Sequence, residues 1–313
     1  MISEFKHKGY LEPLEKNVMT EEVRDSFPQK YLESICEENG HIYSVPFQMD
    51  IMMFWVNQEL LKQAGLDEIK NTGDFDILQK SLKNPDQYAY GDAWENTHVY
   101  NSLSQFVNFW GGDYFDWTDP KTKDAARYMK SMLDEKNTSP AQFVDQYEQM
   151  EEKFIRGKYG CVFMYTSALG TFLDADVYGK NKIHMAPLPV LHKKKATNIA
   201  TWQYVLNNAS ENKDAAVRFL QYAAGYEGST EYAKIMKSYP ARVDVIENED
   251  IDLEGIDMIR KYLREYTLNA RPLCENSMGA VSDMGKLFQG YVLGQCEEDS
   301  FFEQAQNCIN TYY

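Results

Sequence analysis

Residues 40–65 carry the sequence GHIYSVPFQMDIMMFWVNQELLKQAG, in which a buried strand leads directly into a helix. A strand is predicted at 52–56, within residues 51–56, which form the longest apolar run in the chain and have about the length of a buried strand. Residues 58–64 then predict a short helix, which Gly65 ends as a C-terminal cap glycine. A strand followed at once by a helix is typical of α/β organisation.

The same patterns recur on both sides of this stretch. Short apolar segments bounded by turn residues predict further strands at 41–47, 159–164, 183–187 and 202–207. Apolar residues at helical spacing predict helices at 99–110, 120–136, 146–156, 254–266, 276–293 and 299–311, and a helical pair at 212–237 that breaks near 225–228. Residues 70–74 and 85–92 are rich in Gly and Asp and predict loops.

The charge balance excludes some partners. The 313 residues include 32 basic and 48 acidic side chains, a net charge of −16, which argues against nucleic acid and against tight binding to anionic lipid. No apolar run is long enough to span a membrane. The first residues of the chain contain no apolar segment of a signal peptide.

Motifs with catalytic geometry are absent from the sequence. No phosphate-binding glycine loop, dinucleotide fingerprint or zinc-protease motif occurs, and Ser167 lacks the flanking glycines of a nucleophile elbow. We therefore expect no enzymatic activity, no cofactor and no catalytic metal. Residues 250–255 match the first half of a calcium loop, but Lys261 stands where the bidentate Glu is needed, so an acidic helix-capping loop is the better interpretation.

The five cysteines do not have the spacing of a zinc site. Because their number is odd, they also give no disulfide framework. Cys296 and Cys308 flank a short acidic turn, and the sequence leaves open whether they pair.

Read as a whole, the chain resembles the extracellular solute-binding proteins of ABC sugar importers. The matching segments follow the family's order: 9–14 (GYLEPL), 40–47 (GHIYSVPF), 54–61 (FWVNQELL), 109–112 (FWGG), 154–160 (FIRGKYG), 187–189 (PLP), 210–216 (SENKDAA) and 239–242 (YPAR). Each segment is a weak signal alone, and their shared order over nearly the entire chain makes the resemblance specific.

The resemblance implies the type II periplasmic-binding-protein fold, in which two α/β lobes hold a ligand between them and close by hinge motion. Lobe 1 is expected at residues 1–49 and 204–251, and lobe 2 at 52–202 and 253–313. The chain crosses between them near 47–50, 202–204 and 250–253.

One departure from the family concerns the start of the chain, where the first matching segment already begins at Gly9. The resemblance implies that lobe 1 is incomplete, so that unpaired sheet edges favour self-association through lobe 1 or partial disorder there. It also implies that the full-length form is an extracytoplasmic lipoprotein that delivers its solute to ABC permease subunits.

The resemblance places candidate ligand contacts beside the crossover strands, because sugars are held by polar groups that bind hydroxyls and by aromatic faces. Asp50 stands where the family often has a hydroxyl-binding carboxylate. The other candidates are Trp202 at the second crossover, Trp94 and Tyr100 at the start of the 99–110 helix, Tyr165 and Ser167 in a loop where relatives carry a stacking Trp, and Asn276 before a lobe-2 helix.

The leading hypothesis is a receptor that binds a carbohydrate for an ABC importer. The alternatives are a receptor for another small solute, such as a polyamine, a peptide or a metal complex, and a fragment that binds nothing. A glycosidase would need two facing carboxylates about 5–9.5 Å apart, and no motif in the sequence supplies them.

Overall fold

The structure is a computed structural model that describes residues 2–192 and 194–313. Its strands are β1 (Glu37–Glu38), β2 (His41–Ile42), β3 (Val45–Asn57), β4 (Tyr88–Gly91), β5 (Tyr159–Tyr165), β6 (Ile183–Ala186), β7 (Ala196–Tyr204) and β8 (Thr267–Asn269). The α/β class expected from the sequence is confirmed.

The helices surround these strands in chain order. They are α1 (Ile2–His7), α2 (Glu21–Arg24), α3 (Gln29–Ile35), α4 (Gln58–Gln63), α5 (Thr72–Ser81), α6 (Tyr100–Trp110), α7 (Pro120–Asp134), α8 (Tyr147–Ile155), α9 (Ala168–Asp174), α10 (Lys213–Ala224), α11 (Tyr226–Met236), α12 (Val243–Ile246), α13 (Ile256–Glu265), α14 (Ser277–Val292) and α15 (Glu298–Tyr312). Among the described residues, no helix combines the length and the apolar character needed to cross a membrane.

The chain divides into two compact units. Unit 1 contains the chain up to Ile51 together with Ile199–Ser277, and unit 2 contains Met52–Asn198 and Met278–Tyr313. Strand β3 therefore passes from unit 1 into unit 2 after Ile51, and β7 returns to unit 1 after Asn198.

In unit 1, the first half of β3 lies in the middle of a small sheet. It pairs antiparallel with β7 in a register that sets Gln48 opposite Trp202 and Asp50 opposite Ala200. On its other edge, the amide of Met49 donates to the carbonyl oxygen of Tyr239. Backbone groups on both edges of the strand are thus hydrogen-bonded, and this pairing fixes the direction in which its side chains point.

In unit 2, the second half of β3 is central as well. It pairs antiparallel with β5 and with β6, and β4 runs parallel to β5. Every residue of Met52–Val56 is buried, as expected for a strand that is covered on both faces. The helix α4 follows directly, and the side chain of Asn57 caps it by accepting hydrogen bonds from the amides of Glu59 and Leu60.

The observed elements correct two sequence-based expectations. The predicted strands 41–47 and 52–56 are largely one strand, β3, because residues 48–51 continue the ladder with β7. The strand expected at 202–207 lies earlier, at β7, for the same reason. Helix α5 and strand β4 cover much of the two segments that were predicted as loops; α5 begins with a capping box at Asn71 and Asp74.

The third division between the units differs from the expected position. The chain leaves unit 1 after Ser277 and not near residues 250–253. Helix α13 stays in unit 1 because Arg260 donates to the carbonyl oxygens of Ile246 and Asn248, and the Arg264 guanidinium lies 2.9 Å from Glu247. Strand β8 stays there because it pairs with β7.

The five cysteine thiols are all free in the structure, including Cys296 and Cys308. The residues of the calcium half-motif precede α13. Gly255, the residue just before this helix, has a left-handed backbone conformation. Across the ranges that the structure describes, no cluster of three or more His, Cys, Asp or Glu side chains is suited to hold a metal ion.

A matched pair of glycines tests the packing of unit 2. A Cβ atom at Gly91 would lie 2.0 Å from the Tyr159 ring, whereas one at Gly170 in α9 would meet nothing within 4 Å. We expect Gly91→Ala to lower the free energy of unfolding by about 1–3 kcal/mol through overpacking. We expect Gly170→Ala to raise the free energy of unfolding by about 0.5–1 kcal/mol, because alanine lowers the conformational entropy of the unfolded chain. Urea unfolding followed by circular dichroism measures both, and equal effects of the two substitutions would contradict the packing described for β4 and β5.

Candidate functional site

The β3–β7 ladder of unit 1 gathers three candidate or neighbouring side chains on one face. Gln48 and Asp50 are two residues apart on β3, and therefore point to the same side of the sheet. Trp202 lies directly opposite Gln48 on β7, which places it on that side too. Asp50 is only 3% exposed, whereas Trp202 is 62% exposed. A shielded carboxylate thus shares its sheet face with an open indole.

Hydrogen bonds connect this face to helix α11. The Tyr232 hydroxyl donates to Gln48 Oε1 at 2.6 Å, and Gln48 Nε2 donates to Asp50 Oδ2 at 3.4 Å. We call Gln48, Asp50, Trp202 and Tyr232 the Gln48 cluster. Its members provide a carboxylate, an amide, a phenol and an indole face, which are the groups that protein sites use to bind sugar hydroxyls and the apolar faces of sugar rings.

Aromatic packing holds Tyr232 in place. Phe47 stacks on Tyr204 with ring centroids 4.2 Å apart and meets the Tyr232 ring edge-on at 5.4 Å. Burial, followed by the nearby Tyr204 and Asp50, raises the pKa of Tyr232. The phenol therefore remains protonated at neutral pH and can donate to Gln48.

Tyr31 of helix α3 supports the strand pair from within unit 1. Its hydroxyl lies 3.5 Å from the carbonyl oxygen of Gln48 and 3.4 Å from that of Ala200, so that it bridges β3 and β7. Burial raises the pKa of Tyr31 well above its usual value, and Asp50 adds to the shift. A neutral phenol is thus fixed behind the Gln48 cluster.

Unit 2 presents a second group of polar and aromatic side chains around Tyr165. The Tyr165 hydroxyl donates to Asn101 Oδ1 at 3.4 Å, and its ring lies nearly parallel to that of Tyr147, with centroids 6.3 Å apart. The Tyr147 ring in turn lies 6.4 Å from the His98 ring, and His98 Nδ1 is 2.9 Å from Glu95. We call Tyr165, Tyr147, Asn101 and His98 the Tyr165 group.

The charge at the edge of the Tyr165 group is set by Glu95. Partial burial opposes ionisation of this carboxyl, but hydrogen bonds from Thr97 and His98 outweigh it and lower the pKa of Glu95. The side chain is therefore an anion at neutral pH.

The structure also shows the surroundings of three other predicted contacts, Tyr100, Ser167 and Asn276. Tyr100 of unit 2 packs edge-on against Tyr114, beside a cavity of about 10 Å³ that is too small for a sugar. Ser167 is exposed at the start of α9 in unit 2, and Asn276 is exposed before α14 in unit 1.

Trp94 is a core residue, and its predicted role as an accessible stacking side chain is not supported. It is fully buried in unit 2 between Phe143 and Phe288. Its indole N–H donates to Asp92 Oδ2 at 2.8 Å, as the Tyr90 hydroxyl also does. Burial raises the pKa of Asp92 despite these hydrogen bonds. The buried carboxylate needs donors, and this need explains why the indole points inward.

Sequence reasoning missed Gln48, Tyr232 and Tyr147. The position of Gln48 was available as a signal, because it stands two residues before Asp50 in the expected crossover at 47–50. Tyr232 and Tyr147 had no such signal: each lies in a helix far from its partners along the chain.

Known proteins similar to the chain were found at three levels. The sequence profile of a family described as bacterial extracellular solute-binding protein matches residues 1–230. A probable amino-acid ABC transporter periplasmic-binding protein, y4oP of Sinorhizobium fredii, is 24% identical over 239 residues, which cover 72% of this chain and 54% of that protein. The arabinooligosaccharide-binding protein of Bacillus subtilis is 23% identical over 248 residues, which cover 74% of this chain and 56% of that protein. The chain thus spans about half the length of the curated relatives it matches.

The fold also matches solved structures. An ABC transporter solute-binding protein from Thermotoga lettingae, crystallised with α-D-tagatose, superposes with a TM-score of 0.85 at 18% identity over 99% of this chain and 82% of that chain. This similarity shows the two-lobe α/β fold of type II periplasmic binding proteins.

Two tryptophans with opposite environments test the assignment of Trp94 to the core. We expect Trp94→Phe to lower the free energy of unfolding by about 1–3 kcal/mol, because the buried Asp92 loses a donor. The exposed Trp202 serves as the control, since Trp202→Phe is expected to change stability by no more than about 0.5 kcal/mol. Chemical denaturation of both variants decides, and a larger loss for Trp202→Phe would contradict the assignment.

Proposed function

Because the chain belongs to the family of bacterial extracellular solute-binding proteins, we propose that it is the solute-binding component of an ABC importer and that its ligand is a carbohydrate. The family and the fold are those of binding proteins and not of enzymes. We extend this to the chain itself: it binds its solute without turnover and needs no cofactor.

The Gln48 cluster is the observation that carries the proposal. An open indole beside a carboxylate, an amide and a phenol can stack on the apolar face of a sugar ring while polar atoms bind its hydroxyls. Relatives with an arabinooligosaccharide-binding function and with bound tagatose support the same class of ligand. Tyr165 and Tyr147 offer a further aromatic surface in unit 2.

The proposal includes location and partners. The family is extracellular by its description, and we propose that this protein acts outside the cytoplasm, is anchored as a lipoprotein in its full-length form, and delivers solute to ABC permease subunits. We further propose that units 1 and 2 are the two lobes expected from the resemblance.

An amino acid or a polyamine is the second candidate ligand. The relative from Sinorhizobium fredii is named as a probable amino-acid receptor, and a carboxylate next to an exposed indole also suits a cation through charge and cation–π attraction. Neutral sugars and cationic solutes therefore need to be compared directly.

A thermal-shift screen separates these candidates. The protein is heated with D-tagatose, arabinotriose and maltotriose, and in parallel with L-arginine and putrescine. A ligand that binds only the folded state raises the melting temperature. A shift with sugars alone supports the proposal, a shift with the cations alone supports the second candidate, and no shift with any of the five contradicts both.

Trp202 provides the quantitative test. We expect Trp202→Ala to weaken sugar binding by about 1–3 kcal/mol, because a stacked indole is lost. The matched control is Tyr222→Ala, which removes another exposed aromatic side chain of unit 1 outside the Gln48 cluster. Titration calorimetry measures both, and equal affinities of the wild type and Trp202→Ala would place the site elsewhere.

Self-association through unit 1 is a separate proposal. Helices α10 and α11 leave Phe219, Tyr222 and Ile235 about half or more exposed, and apolar side chains grouped on helices favour contacts between chains. Sedimentation equilibrium at several concentrations tests it. A mass of 36.3 kDa at all concentrations would contradict self-association.

A further inference from the structure

We infer that Gln48 is a positioning residue that determines specificity: its amide, oriented by Tyr232, holds the Asp50 carboxylate as an acceptor for a hydroxyl group of the ligand. The inference rests on the proposed carbohydrate function and adds a residue that a search for carboxylates and aromatics alone does not reveal.

The direction of the hydrogen bonds gives the first argument. Gln48 turns its Nε2 towards Asp50 Oδ2, and this carboxylate oxygen accepts the hydrogen bond that the amide N–H donates. The Oε1 atom is then left to face Tyr232, whose hydroxyl donates to it at 2.6 Å. The phenol thereby selects one of the two amide orientations, and the amide in turn places an N–H group beside the carboxylate.

The backbone gives the second argument, since Gln48 itself is held firmly. Its carbonyl oxygen accepts from Thr201 Oγ1 at 2.8 Å and lies within reach of the Tyr31 hydroxyl. The residue also forms a bridge with Pro240 on the edge of β3 that faces away from β7. Because the main chain of Gln48 is fixed from both edges, the amide group can move only by rotation about the side-chain bonds.

Two phenols near Gln48 and Asp50, those of Tyr31 and Tyr232, stay neutral at neutral pH, and the buried Cys36 thiol near Tyr31 does so as well. Burial raises the pKa of Tyr31 and Tyr232 and raises that of Cys36 to about 12. A charge change introduced at position 48 is therefore expected to be felt chiefly by Asp50.

The position of Trp202 links this arrangement to specificity. It stands opposite Gln48 in the ladder, so a sugar ring stacked on the indole brings its edge towards the amide and the carboxylate. A ligand with hydroxyl donors on that edge is preferred over one that offers only acceptors, because unmatched buried polar groups are costly.

Gln48→Glu is the decisive variant, since it keeps the shape of the side chain and the contact with Tyr232. It sets a second carboxyl next to Asp50, and two carboxyls at this distance share a proton and titrate as a pair. A ¹³C NMR titration of the ligand-free protein is expected to show Asp50 titrating in two coupled steps in the variant and not in the wild type. The control is Gln304→Glu on the exposed surface of α15, which is expected to leave the Asp50 titration unchanged.

Calorimetry with D-tagatose, arabinotriose and maltotriose supplies the second readout. At pH 7, Gln48→Glu is expected to weaken binding about tenfold or more, the loss expected when a charge-assisted hydrogen bond is replaced by repulsion. Binding is expected to recover partly at pH 5, where the pair holds a proton. Gln48→Leu is expected to weaken binding equally at both pH values, and Tyr232→Phe to weaken it less than either.

The outcomes separate the inference from the function on which it rests. If none of the three sugars binds the wild type, and Asp50 titrates as a coupled group in Gln48→Glu, the carbohydrate function is wrong and the positioning of Asp50 by Gln48 is supported. If the Asp50 titration is the same in both proteins, or if a sugar binds Gln48→Glu as tightly as the wild type at pH 7, the inference is overturned.

Discussion

The antiparallel ladder between β3 and β7 is the constraint on which the candidate site depends. Side chains alternate between the two faces of a strand, so a shift of one residue in this register would turn Gln48 and Asp50 away from Trp202. The ladder is held by more than its own hydrogen bonds, because Tyr31 bridges both strands from behind and Tyr239 pairs with the other edge of β3. Backbone pairing thus decides which chemical groups meet on one face.

A comparable constraint acts at the start of β7, within unit 2. Helix α6 carries a polar stripe, which is unusual for a helix in the core. The stripe consists of four residues at helical spacing: Asn101, Ser104, Gln105 and Asn108. The strand supplies partners for the stripe: Gln105 Nε2 donates to the carbonyl oxygen of Ala196, and the Asn198 amide donates to Gln105 Oε1. The Asn198 side chain donates to Ser104 Oγ and to the backbone carbonyl oxygen of Asn101, and it accepts from Asn108 Nδ2. Buried polar groups with complete partners specify a single arrangement, which an apolar contact would leave less defined.

The sequence predicted those features that depend on local pattern. The apolar run at 51–56 predicted the buried part of β3, and residues 58–64 with Gly65 predicted the helix that the structure shows as α4. It failed where distant pairing decides: the ladder extended β3 through Gln48–Ile51, and β4 formed in a polar loop segment because β5 offered a parallel partner. Trp94 was misjudged for the same reason, since it is buried against Phe143 and Phe288, which are distant along the chain.

The chain contains two Asp–Trp pairs whose environments differ, and the difference indicates a structural role for one pair and a binding role for the other. In unit 2, Asp92 and Trp94 are both buried. The indole N–H donates to the Asp92 carboxylate, so the two buried polar groups are hydrogen-bonded to each other. In unit 1, Asp50 is shielded while Trp202 is open to solvent, the reverse of what burial preferences favour for a charged and an aromatic side chain. Under the proposed function these two environments have a common reason, because a stacked sugar ring would cover the indole and bring hydroxyl groups to the carboxylate.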